Sequence, residues 1–289
     1  MKIIITGGTG IVGSHLVNAL HLLEHEVIVI KRENSKPRIP LNKEPKWIIG
    51  NLGDNTIGKL PKCDIIIHLA SSGVKSSNRK WNECIKTNIG GTYQLLHLLD
   101  KMSNKPLLVY PKTFYEESLN KFPKLGQNPY IATKSASTKI VKLWATYNID
   151  ARVIFGTIFQ AYGAGDDPGN VLTYTANCLR NGVTAQLGSG NGLRDWIYID
   201  DLVDAFTRAL KVNGNRIQYF DFGTGKLTSI REVVLKLADL MDCSNDLLSF
   251  DSKRDRHDTE LTSRAKKFLP AWKPRLSLEE GIIKYVNRL

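Results

Sequence analysis

Short apolar runs alternate with segments of helical periodicity along the first half of the chain. The first run, at 3–5, stops at Thr6-Gly7-Gly8, and the apolar positions that follow, at 11, 12, 16 and 20, fall at helical spacing. Short continuous apolar runs bounded by turn residues are typical of buried strands in a parallel sheet. The pattern therefore predicts a strand, a tight turn and a helix at the start of the chain.

The same alternation continues to about residue 160. We predict further strands at 26–30, 46–52, 64–70, 107–110 and 151–155, with Pro111 ending the fifth strand. Long helices are predicted over about 81–101 and from Asn128-Pro129-Tyr130 to about 147, where Asn128 caps the helix and Pro129 occupies its first turn. Strands that alternate with helices in this way indicate an α/β fold with a parallel sheet.

Three glycines stand where the first strand becomes the first helix. Gly7 would permit the turn, Gly10 would let the backbone approach a pyrophosphate, and Gly13 would let the helix pack closely on the strand. A phosphate would then lie at the positive N-terminus of the helix. A tight turn would need glycine in any case, and that interpretation stays open. Together with the flanking strand and helix, the spacing favours a dinucleotide site.

Beyond residue 160 the alternation loosens. Helices are predicted over 171–181, 202–210, 230–241 with Ser229 as the cap, and from about 277, with a short strand at 219–223. We predict an α/β protein with a Rossmann-type, doubly wound parallel sheet over residues 1–160 and return segments near 195–223. Residues 161–289 are predicted to form a smaller C-terminal α/β domain that binds the substrate.

The end of the second strand bears on the choice of cofactor. An acidic residue at this place usually holds the ribose 2′-hydroxyl of NAD, but the sequence has Lys31-Arg32, with Glu33 only afterwards. Cations suit a 2′-phosphate, so the sequence favours NADP(H) and keeps NAD(H) as the alternative. A basic strand end that faces only water is the other interpretation.

Composition and charge narrow the functional classes. Apolar residues make up 42% and charged residues 24% of the 289 residues, which is ordinary for a soluble enzyme. The net charge of +12 is spread along the chain without a basic helix or an arginine-aromatic stripe, so no nucleic-acid partner is predicted. Attraction of anionic small molecules such as nucleotides is the favoured interpretation of this charge.

Cysteine usage and the chain start bear on the cellular compartment. The four cysteines, Cys63, Cys84, Cys178 and Cys243, are scattered singly, which predicts reduced thiols and no metal site. Met1-Lys2 leads straight into the first strand, and no apolar run approaches a membrane span. We therefore expect a cytoplasmic protein without a membrane partner.

Tyr130 and Lys134 stand four residues apart near the start of a predicted helix, so they share one of its faces. A tyrosine has an ordinary pKa near ~10, and a nearby ammonium favours the phenolate. Tyr130 could then exchange a proton with a substrate oxygen while hydride moves to or from a nicotinamide. An ordinary pair on a helix surface is the alternative.

Two other polar positions stand in apolar surroundings. Asn88 lies in the middle of a predicted helix on a largely apolar face, where its amide requires a partner. His68 ends the apolar fourth strand and is interpreted as a packed histidine rather than a catalyst or a metal ligand.

Over nearly its whole length the chain resembles the extended short-chain dehydrogenase/reductases. The resemblance rests on TGGTGIVG at 6–13, HLA at 68–70, TNIGGTYQLL at 87–96, YIATK at 130–134 and RDWIYIDDLVDA at 194–205, in this order and spacing. The family contains NAD(P)-dependent nucleotide-sugar epimerases, dehydratases and 4-ketoreductases. Within it the chain is most similar to bacterial synthases of CDP-abequose or CDP-paratose, which WKP at 272–274 also fits.

The resemblance implies a role for each matched position. Tyr130 would be the acid/base, Lys134 its partner and a ligand of the cofactor ribose, and Asn88 a support for the active-site helix. The cofactor would also contact Gly7, Thr9, Gly10, Ile11, Val12, Gly13, Lys31, Arg32, Asn51, Leu52, Leu69, Ala70 and Ser71.

Two arginines are implied to bind the diphosphate of a nucleotide-sugar, namely Arg194 and Arg256. Arginine suits this role because its fork binds phosphate oxygens bidentately. The alternative for Arg194 is a salt bridge with Asp195 or Asp200.

One position departs from the family pattern. After the fifth strand the family normally supplies a Ser or Thr that hydrogen-bonds the reacting oxygen, and the matching position, counted back from Tyr115, is Pro111. Proline has no side-chain donor. Thr113 is the nearest hydroxyl, and we predict that it substitutes through a shifted loop.

The leading hypothesis is NADP(H)-dependent reduction of the 4-keto group of a nucleotide-activated 6-deoxy sugar for surface polysaccharide. A 4-epimerase with tightly held NAD is the alternative. A catalytically silent NADP-binding protein is a further one, which Pro111 favours and the retained Tyr130 and Lys134 disfavour. Dehydration is disfavoured because Pro111-Lys112-Thr113 offers no added acid/base pair. The helices near 81–101 and 130–147 resemble those that pair in family dimers, which implies a homodimer.

Overall fold

Twelve strands and eight α-helices are found in the computed structural model, which describes residues 1–75, 79–119, 121–255 and 261–289. The strands are β1 (Lys2–Thr6), β2 (Glu26–Lys31), β3 (Lys46–Ile49), β4 (Ile65–His68), β5 (Leu107–Thr113), β6 (Arg152–Ile158), β7 (Gln160–Tyr162), β8 (Ala185–Leu187), β9 (Leu193–Tyr198), β10 (Ile217–Phe222), β11 (Leu227–Ser229) and β12 (Leu248–Phe250). The helices are α1 (Ile11–Leu22), α2 (Trp81–Cys84), α3 (Gly91–Asp100), α4 (Pro129–Tyr147), α5 (Val171–Arg180), α6 (Ile199–Ala209), α7 (Ile230–Leu240) and α8 (Leu278–Val286).

The central sheet has seven parallel strands in the order β10-β6-β5-β4-β1-β2-β3. The direction in which the chain builds the sheet reverses beside β1, because β2 lies on one side of it and β4 on the other. In open α/β sheets, ligands bind at the carboxyl ends of the strands at this switch point. The predicted doubly wound parallel sheet is confirmed.

Strand β1 shows why helices cover both faces of the sheet. Ile3, Ile4 and Ile5 are fully buried, and successive side chains of a strand point to opposite faces. Ile3 and Ile5 pack with Leu16 of α1, whereas Ile4 packs with Leu95 of α3. A strand buried on both faces is continuously apolar, which is the pattern seen in the sequence.

Strand β5 is longer than predicted, and the expectation that Pro111 ends it is wrong. The β4 ladder stops at the Ile67–Val109 pair, but β5 remains paired with β6 as far as Thr113. The backbone N–H of Leu107 donates to the carbonyl oxygen of Asp64, which directly precedes β4. The N–H groups of the odd-numbered residues of β5 therefore point toward β4. Pro111 lacks an N–H on the side where the β4 ladder has already ended, so its ring removes no hydrogen bond from the sheet.

The predicted helix over 81–101 is interrupted. A π-helical segment, Ile85–Gly90, joins α2 to α3 and carries Asn88. Such π-bulges are frequent at functional sites, and the hydrophobic periodicity of the sequence does not reveal them.

The chain after residue 160 forms a second layer and also returns to the sheet. Strands β11, β9 and β7 form one small sheet, and β12 and β8 form another, whereas β10 joins the central sheet and α6 packs on α1. The helix predicted over 202–210 starts at Ile199, and β9 directly precedes it. The caps predicted at Ser229 and Asn128 are present. The division at residue 160 stays a prediction.

Three buried or half-buried carboxylates hold the C-terminal segment against the body of the protein. Asp195 accepts the backbone N–H of Ala265, Asp201 accepts those of Arg275 and Leu276, and Asp204 accepts the indole N–H of Trp272. The RDWIYIDD motif therefore has a structural function in addition to supplying Arg194.

Within the described residues, no helix is long and apolar enough to cross a membrane, and no cluster of His, Cys, Asp or Glu could hold a metal ion. The four cysteines are free thiols, and two of them, Cys63 and Cys84, are buried.

Candidate active site

A cleft of about 1530 Å³ runs along the carboxyl edge of the central sheet and continues toward the C-terminal layer. It brings together sixteen of the predicted site residues with Arg194, and they are Gly7, Thr9, Gly10, Ile11, Val12, Gly13, Lys31, Arg32, Asn51, Leu52, Leu69, Ala70, Ser71, Thr113, Tyr130 and Lys134. Asn88 lies behind the cleft wall. Arg256 lies outside the described residues.

The glycine turn has the geometry that a pyrophosphate needs. Gly7 has φ +71°, and a Cβ there would lie 2.6 Å from the backbone nitrogen of Ala70. A Cβ at Gly13 would overlap the carbonyl oxygen of Gly7, so only glycine lets α1 approach the turn this closely. Gly10 precedes α1 without a side-chain cap, and the first turn of α1 contains no acidic residue. Its amide groups are therefore available to an anion.

The loop after β2 places four cations along the cleft, but two of them are engaged. Lys31 donates to the carbonyl oxygen of Ser35 at 3.2 Å and lies over the ring of Trp47. Arg38 is 3.5 Å from a carboxylate oxygen of Asp167. Arg32 and Lys36 also line the cleft, and their side chains make no hydrogen bond or ion pair within the described residues.

The floor of the cleft is built from the ends of β3 and β4. The side chain of Asn51 caps the turn after β3 by accepting the amide of Gly53 at 3.0 Å and donating to Asp54 at 2.7 Å. Asn51 and Leu52 both line the cleft. Small residues, including Ala70, follow β4 and keep the cleft open above the strand ends.

Tyr130 and Lys134 lie on the first turns of α4 and face the cleft together. The side chain of Asn128 caps this helix by accepting the amide of Tyr130 at 3.0 Å. Lys134 is only 6% exposed, and its Nζ donates to the carbonyl oxygen of Pro111 at 2.9 Å and to the hydroxyl of Tyr110 at 3.4 Å. The alternative of a surface pair is therefore wrong for Lys134.

Opposing influences act on the pKa of each member of the pair. Burial raises the pKa of Tyr130 above its ordinary value, although the charge of Lys134 works against this. Burial alone would lower the pKa of Lys134, but the neighbouring phenols and Glu116 together raise it. At neutral pH the site thus holds a protonated phenol beside an ammonium ion, which is the state required of a proton donor.

Asn88 joins the loop after β4 to α4. Its amide nitrogen donates to the carbonyl oxygen of Ser72 at 3.0 Å and to the hydroxyl of Thr133 at 2.8 Å. Its oxygen accepts from the amide of Ser72 and the hydroxyl of Ser71. The buried amide is fully partnered, as its position in the sequence required.

His68 is packed at the end of β4, in agreement with the interpretation from sequence. Thr92 donates its hydroxyl proton to the carbonyl oxygen of Asn88 at 2.6 Å and therefore accepts from Nε2 of His68, so Nδ1 accepts from the hydroxyl of Thr6. Burial lowers the pKa of His68 to about 3, and the charge of Lys134 adds to this effect. The imidazole is neutral and structural.

Thr113 lies near Tyr130, whereas Pro111 offers only its backbone. The side chain of Thr113 is buried, and hydrogen bonding to it lowers the pKa of Tyr130. The extension of β5 produces this placement, so the hydroxyl reaches the site on a strand and not on the shifted loop that we predicted.

Two arginines from the second half of the chain line the cleft. Arg194 is buried and donates to the carbonyl oxygen of Leu193 at 2.8 Å. Within the described part of the chain, no salt bridge joins Arg194 to Asp195 or Asp200, the two predicted alternatives. Asp195 accepts from Thr224, and Asp200 pairs with Lys284 and Arg288. Arg254 also lines the cleft.

Sequence reasoning missed three charged residues beside this site. Arg254 lines the cleft, and a signal was available, because it lies two positions before Arg256 in a basic stretch. Arg79 lines the cleft and lowers the pKa of Tyr130, whereas Glu116 raises it. Neither of these two has a sequence signal, because they approach Tyr130 only through the folding of two loops.

Comparison with known proteins identifies the family. The model of the NAD dependent epimerase/dehydratase family matches residues 3–219. The chain is 26% identical to CDP-abequose synthase of Salmonella muenchen, with 99% of this chain and 97% of that protein covered. It is 24% identical to a putative UDP-glucose 4-epimerase of Methanocaldococcus jannaschii, with the same coverage of each chain.

Solved structures agree on the fold. The UDP-glucose 4-epimerase of Thermotoga maritima, solved with UDP-glucose, superposes with a TM-score of 0.81 at 24% identity, covering 100% of this chain and 98% of that one. The UDP-glucuronic acid 4-epimerase of Bacillus cereus, solved with UDP-glucuronic acid and NAD, gives a TM-score of 0.80 at 20% identity, with the same coverage. The chain belongs to the NAD-dependent epimerase/dehydratase family, the extended short-chain dehydrogenase/reductases that modify nucleotide-sugars.

Proposed function

We propose that this protein reduces the 4-keto group of a nucleotide-activated 6-deoxy sugar with NADPH, as a step toward surface polysaccharide. The observation that carries the proposal is the Tyr130 phenol beside the buried Lys134 ammonium in the cleft that also contains the glycine turn. The similarity to CDP-abequose synthase supports the reaction class.

The side chains of this site have defined tasks in such a reduction. A reduced nicotinamide would supply hydride to the carbonyl carbon. Tyr130 donates its proton to the carbonyl oxygen, Lys134 stabilises the phenolate that remains, and solvent later returns the proton. Thr113 donates a hydrogen bond to the same oxygen in place of the hydroxyl that Pro111 lacks. Asn88 fixes the first turns of α4 through Thr133.

The substrate is a nucleotide-diphosphate sugar, and its diphosphate binds between arginines. Arg194 and Arg254 both line the cleft, and guanidinium groups suit the oxygens of two phosphates. Arg256 is proposed to join them. Relatives named for CDP and UDP sugars support the class of substrate and leave the base open.

A 4-epimerase that retains NAD is the second candidate. The similarity to a putative UDP-glucose 4-epimerase supports it, because epimerases also need the Tyr–Lys pair. A catalytically silent NADP-binding protein is disfavoured, since such a protein has no need of a buried lysine beside the Tyr130 phenol.

Oligomeric state and location are also proposed here. Exposed apolar side chains on the helices over 81–100 and 129–147 support a homodimer, and they are Trp81, Ile85, Tyr93, Leu143 and Tyr147. Four free thiols fit the reducing cytoplasm.

A turnover experiment separates the candidates. The purified protein is incubated with NADPH and a panel of NDP-4-keto-6-deoxyhexoses, and the nicotinamide absorbance is followed together with the sugar products. Stoichiometric oxidation of NADPH with formation of the 4-hydroxy sugar is the expected result. Interconversion of 4-epimers without net use of cofactor would show that the protein is an epimerase and not a reductase.

The preference for NADPH is expected to depend on Arg32. Arg32→Asp removes an unengaged cation and introduces repulsion toward a 2′-phosphate, so the KM for NADPH rises at least ~10-fold while that for NADH changes little. Lys43→Asp makes the same charge change on the same loop outside the cleft and serves as the matched control. Equal effects of the two variants, or a wild-type preference for NADH, would contradict the assignment.

A further inference from the structure

Glu116 lies one turn beyond the end of β5, beside the catalytic pair. It is half-buried at the start of a short 3₁₀ turn, Glu116–Ser118, and its carboxylate accepts the backbone N–H of Thr113 at 2.8 Å. Its neighbour Glu117 points away, is exposed, and forms an ion pair with Lys112. Two adjacent carboxylates therefore have different surroundings.

The contact with Glu116 provides an acceptor for a backbone N–H that the extension of β5 leaves without a strand partner. Odd-numbered residues of β5 direct their N–H groups toward β4, whose ladder ended at Val109. The N–H of the buried Thr113 consequently has no strand partner, and an unpaired buried amide is costly. The carboxylate of Glu116 takes the place of the missing strand.

The same contact determines where the hydroxyl of Thr113 stands. Thr113 bonds through its backbone to Glu116 and through its side chain approaches Tyr130. Without the carboxylate, the last residue of β5 would be held only by its pairing with β6. If the end of β5 shifts, the hydroxyl of Thr113 moves away from the phenol of Tyr130.

We propose that Glu116 is a positioning residue of this enzyme, which holds Thr113 against Tyr130 and places a negative charge beside the Tyr130–Lys134 pair. This inference rests on the proposed reduction for its kinetic consequences, but its structural content stands without turnover. It explains how a chain with Pro111 at the usual hydroxyl position retains a hydroxyl at the reacting oxygen.

The charge of Glu116 acts on the proton donor. The groups that face Tyr130 are Lys134 on α4, Thr113 on β5, Arg79 on the loop after β4, and Glu116 itself. Glu116 raises the pKa of Tyr130, whereas the other three lower it. Behind Lys134 stand the phenol of Tyr110 and the neutral His68. Removing the negative charge therefore lowers the pKa of the donor, so the protonated form is lost at a lower pH.

Two substitutions separate the hydrogen bond from the charge. Glu116→Gln keeps a carbonyl oxygen that can accept from Thr113 but loses the charge, so kcat at neutral pH stays within about threefold while the alkaline limb of the pH profile moves to lower pH by at least about 0.5. Glu116→Ala loses both, and kcat falls about 10–100-fold. Glu117→Gln is the control and changes neither quantity.

A double-mutant cycle tests the route through Thr113. Thr113→Val and Glu116→Ala are expected to be non-additive, with the double variant within about threefold of the slower single variant, because both remove the same hydroxyl from the site. Additive losses, or an alanine variant with wild-type kcat, would overturn the proposal. Thermal unfolding of each variant establishes that its fold is intact.

A measurement without substrate distinguishes failure of this inference from failure of the proposed reduction. Tyrosines are labelled with ¹³C at Cζ, and the Tyr130 signal is assigned by its absence in Tyr130→Phe. Its pH titration is expected to move to lower pH in Glu116→Gln and to stay in place in Glu117→Gln. An unchanged titration in Glu116→Gln overturns the inference whether or not the protein reduces any sugar of the panel.

Discussion

Tyr130→Phe is expected to lower kcat for ketosugar reduction by about 10³-fold while the dissociation constant for NADPH stays within a fewfold of wild type. The phenylalanine ring fills the space of the phenol, so the fold and the cleft persist. The variant has no proton to deliver to the carbonyl oxygen as hydride arrives at the carbon. Lys134 cannot replace it, because its Nζ is held by the carbonyl oxygen of Pro111 at 2.9 Å.

The measurement is single-turnover oxidation of NADPH with saturating ketosugar, together with a fluorescence titration of the cofactor. Tyr93→Phe is a suitable control, because Tyr93 is 61% exposed on α3 and lies away from the cleft. A Tyr130→Phe enzyme that retains more than about a tenth of wild-type kcat would show that another group donates the proton. Loss of NADPH binding in that variant would point instead to a collapsed site.

The sequence predicted the features that depend on neighbouring residues. The turn at Gly7, the cap at Asn128, and the shared face of Tyr130 and Lys134 are all set within a few residues, so periodicity and spacing reveal them. The parallel arrangement of the sheet follows from the alternation of strands and helices, because parallel neighbours need a crossover connection, which is usually a helix.

The features that the sequence did not predict depend on distant partners. The extension of β5 to Thr113 depends on its pairing with β6, some forty-five residues later in the chain, and no local signal at Pro111 indicates it. Glu116 and Arg79 reach Tyr130 from two different loops. The short strands β8 and β12 stabilise each other across about sixty residues, so neither has enough local pattern to be recognised alone.

The structure assigns Pro111 a role that the sequence does not indicate. The sequence indicates the loss of a hydroxyl and hence a weakened site. In the structure its carbonyl oxygen binds Lys134, and the strand continues to a hydroxyl at Thr113. The position therefore keeps a function in organising the pair, although its side chain donates nothing.

Asp195→Ala is expected to destabilise the protein by at least about 3 kcal/mol, because it leaves several buried hydrogen-bond donors without an acceptor. Asp195 is 1% exposed and accepts the amides of Thr224, Gly225 and Ala265 at 2.7–2.8 Å, as well as the hydroxyl of Thr224 at 2.6 Å. Each unpaired buried N–H costs about 1–3 kcal/mol, and total stabilities are commonly about 5–15 kcal/mol. The variant therefore loses a large share of its stability.

The loss is measured by urea unfolding at neutral pH, with Asp200→Ala as the matched control. Asp200 is a near neighbour whose side chain is 31% exposed and pairs with Lys284 and Arg288 at the surface, so its removal costs less than about 1 kcal/mol. The Asp195 variant should also release the C-terminal segment to proteolysis before the rest of the chain, because Ala265 loses its anchor to β9. Equal unfolding midpoints for the two variants would mean that the RDWIYIDD motif is retained for Arg194 and the cleft, and not for holding this segment.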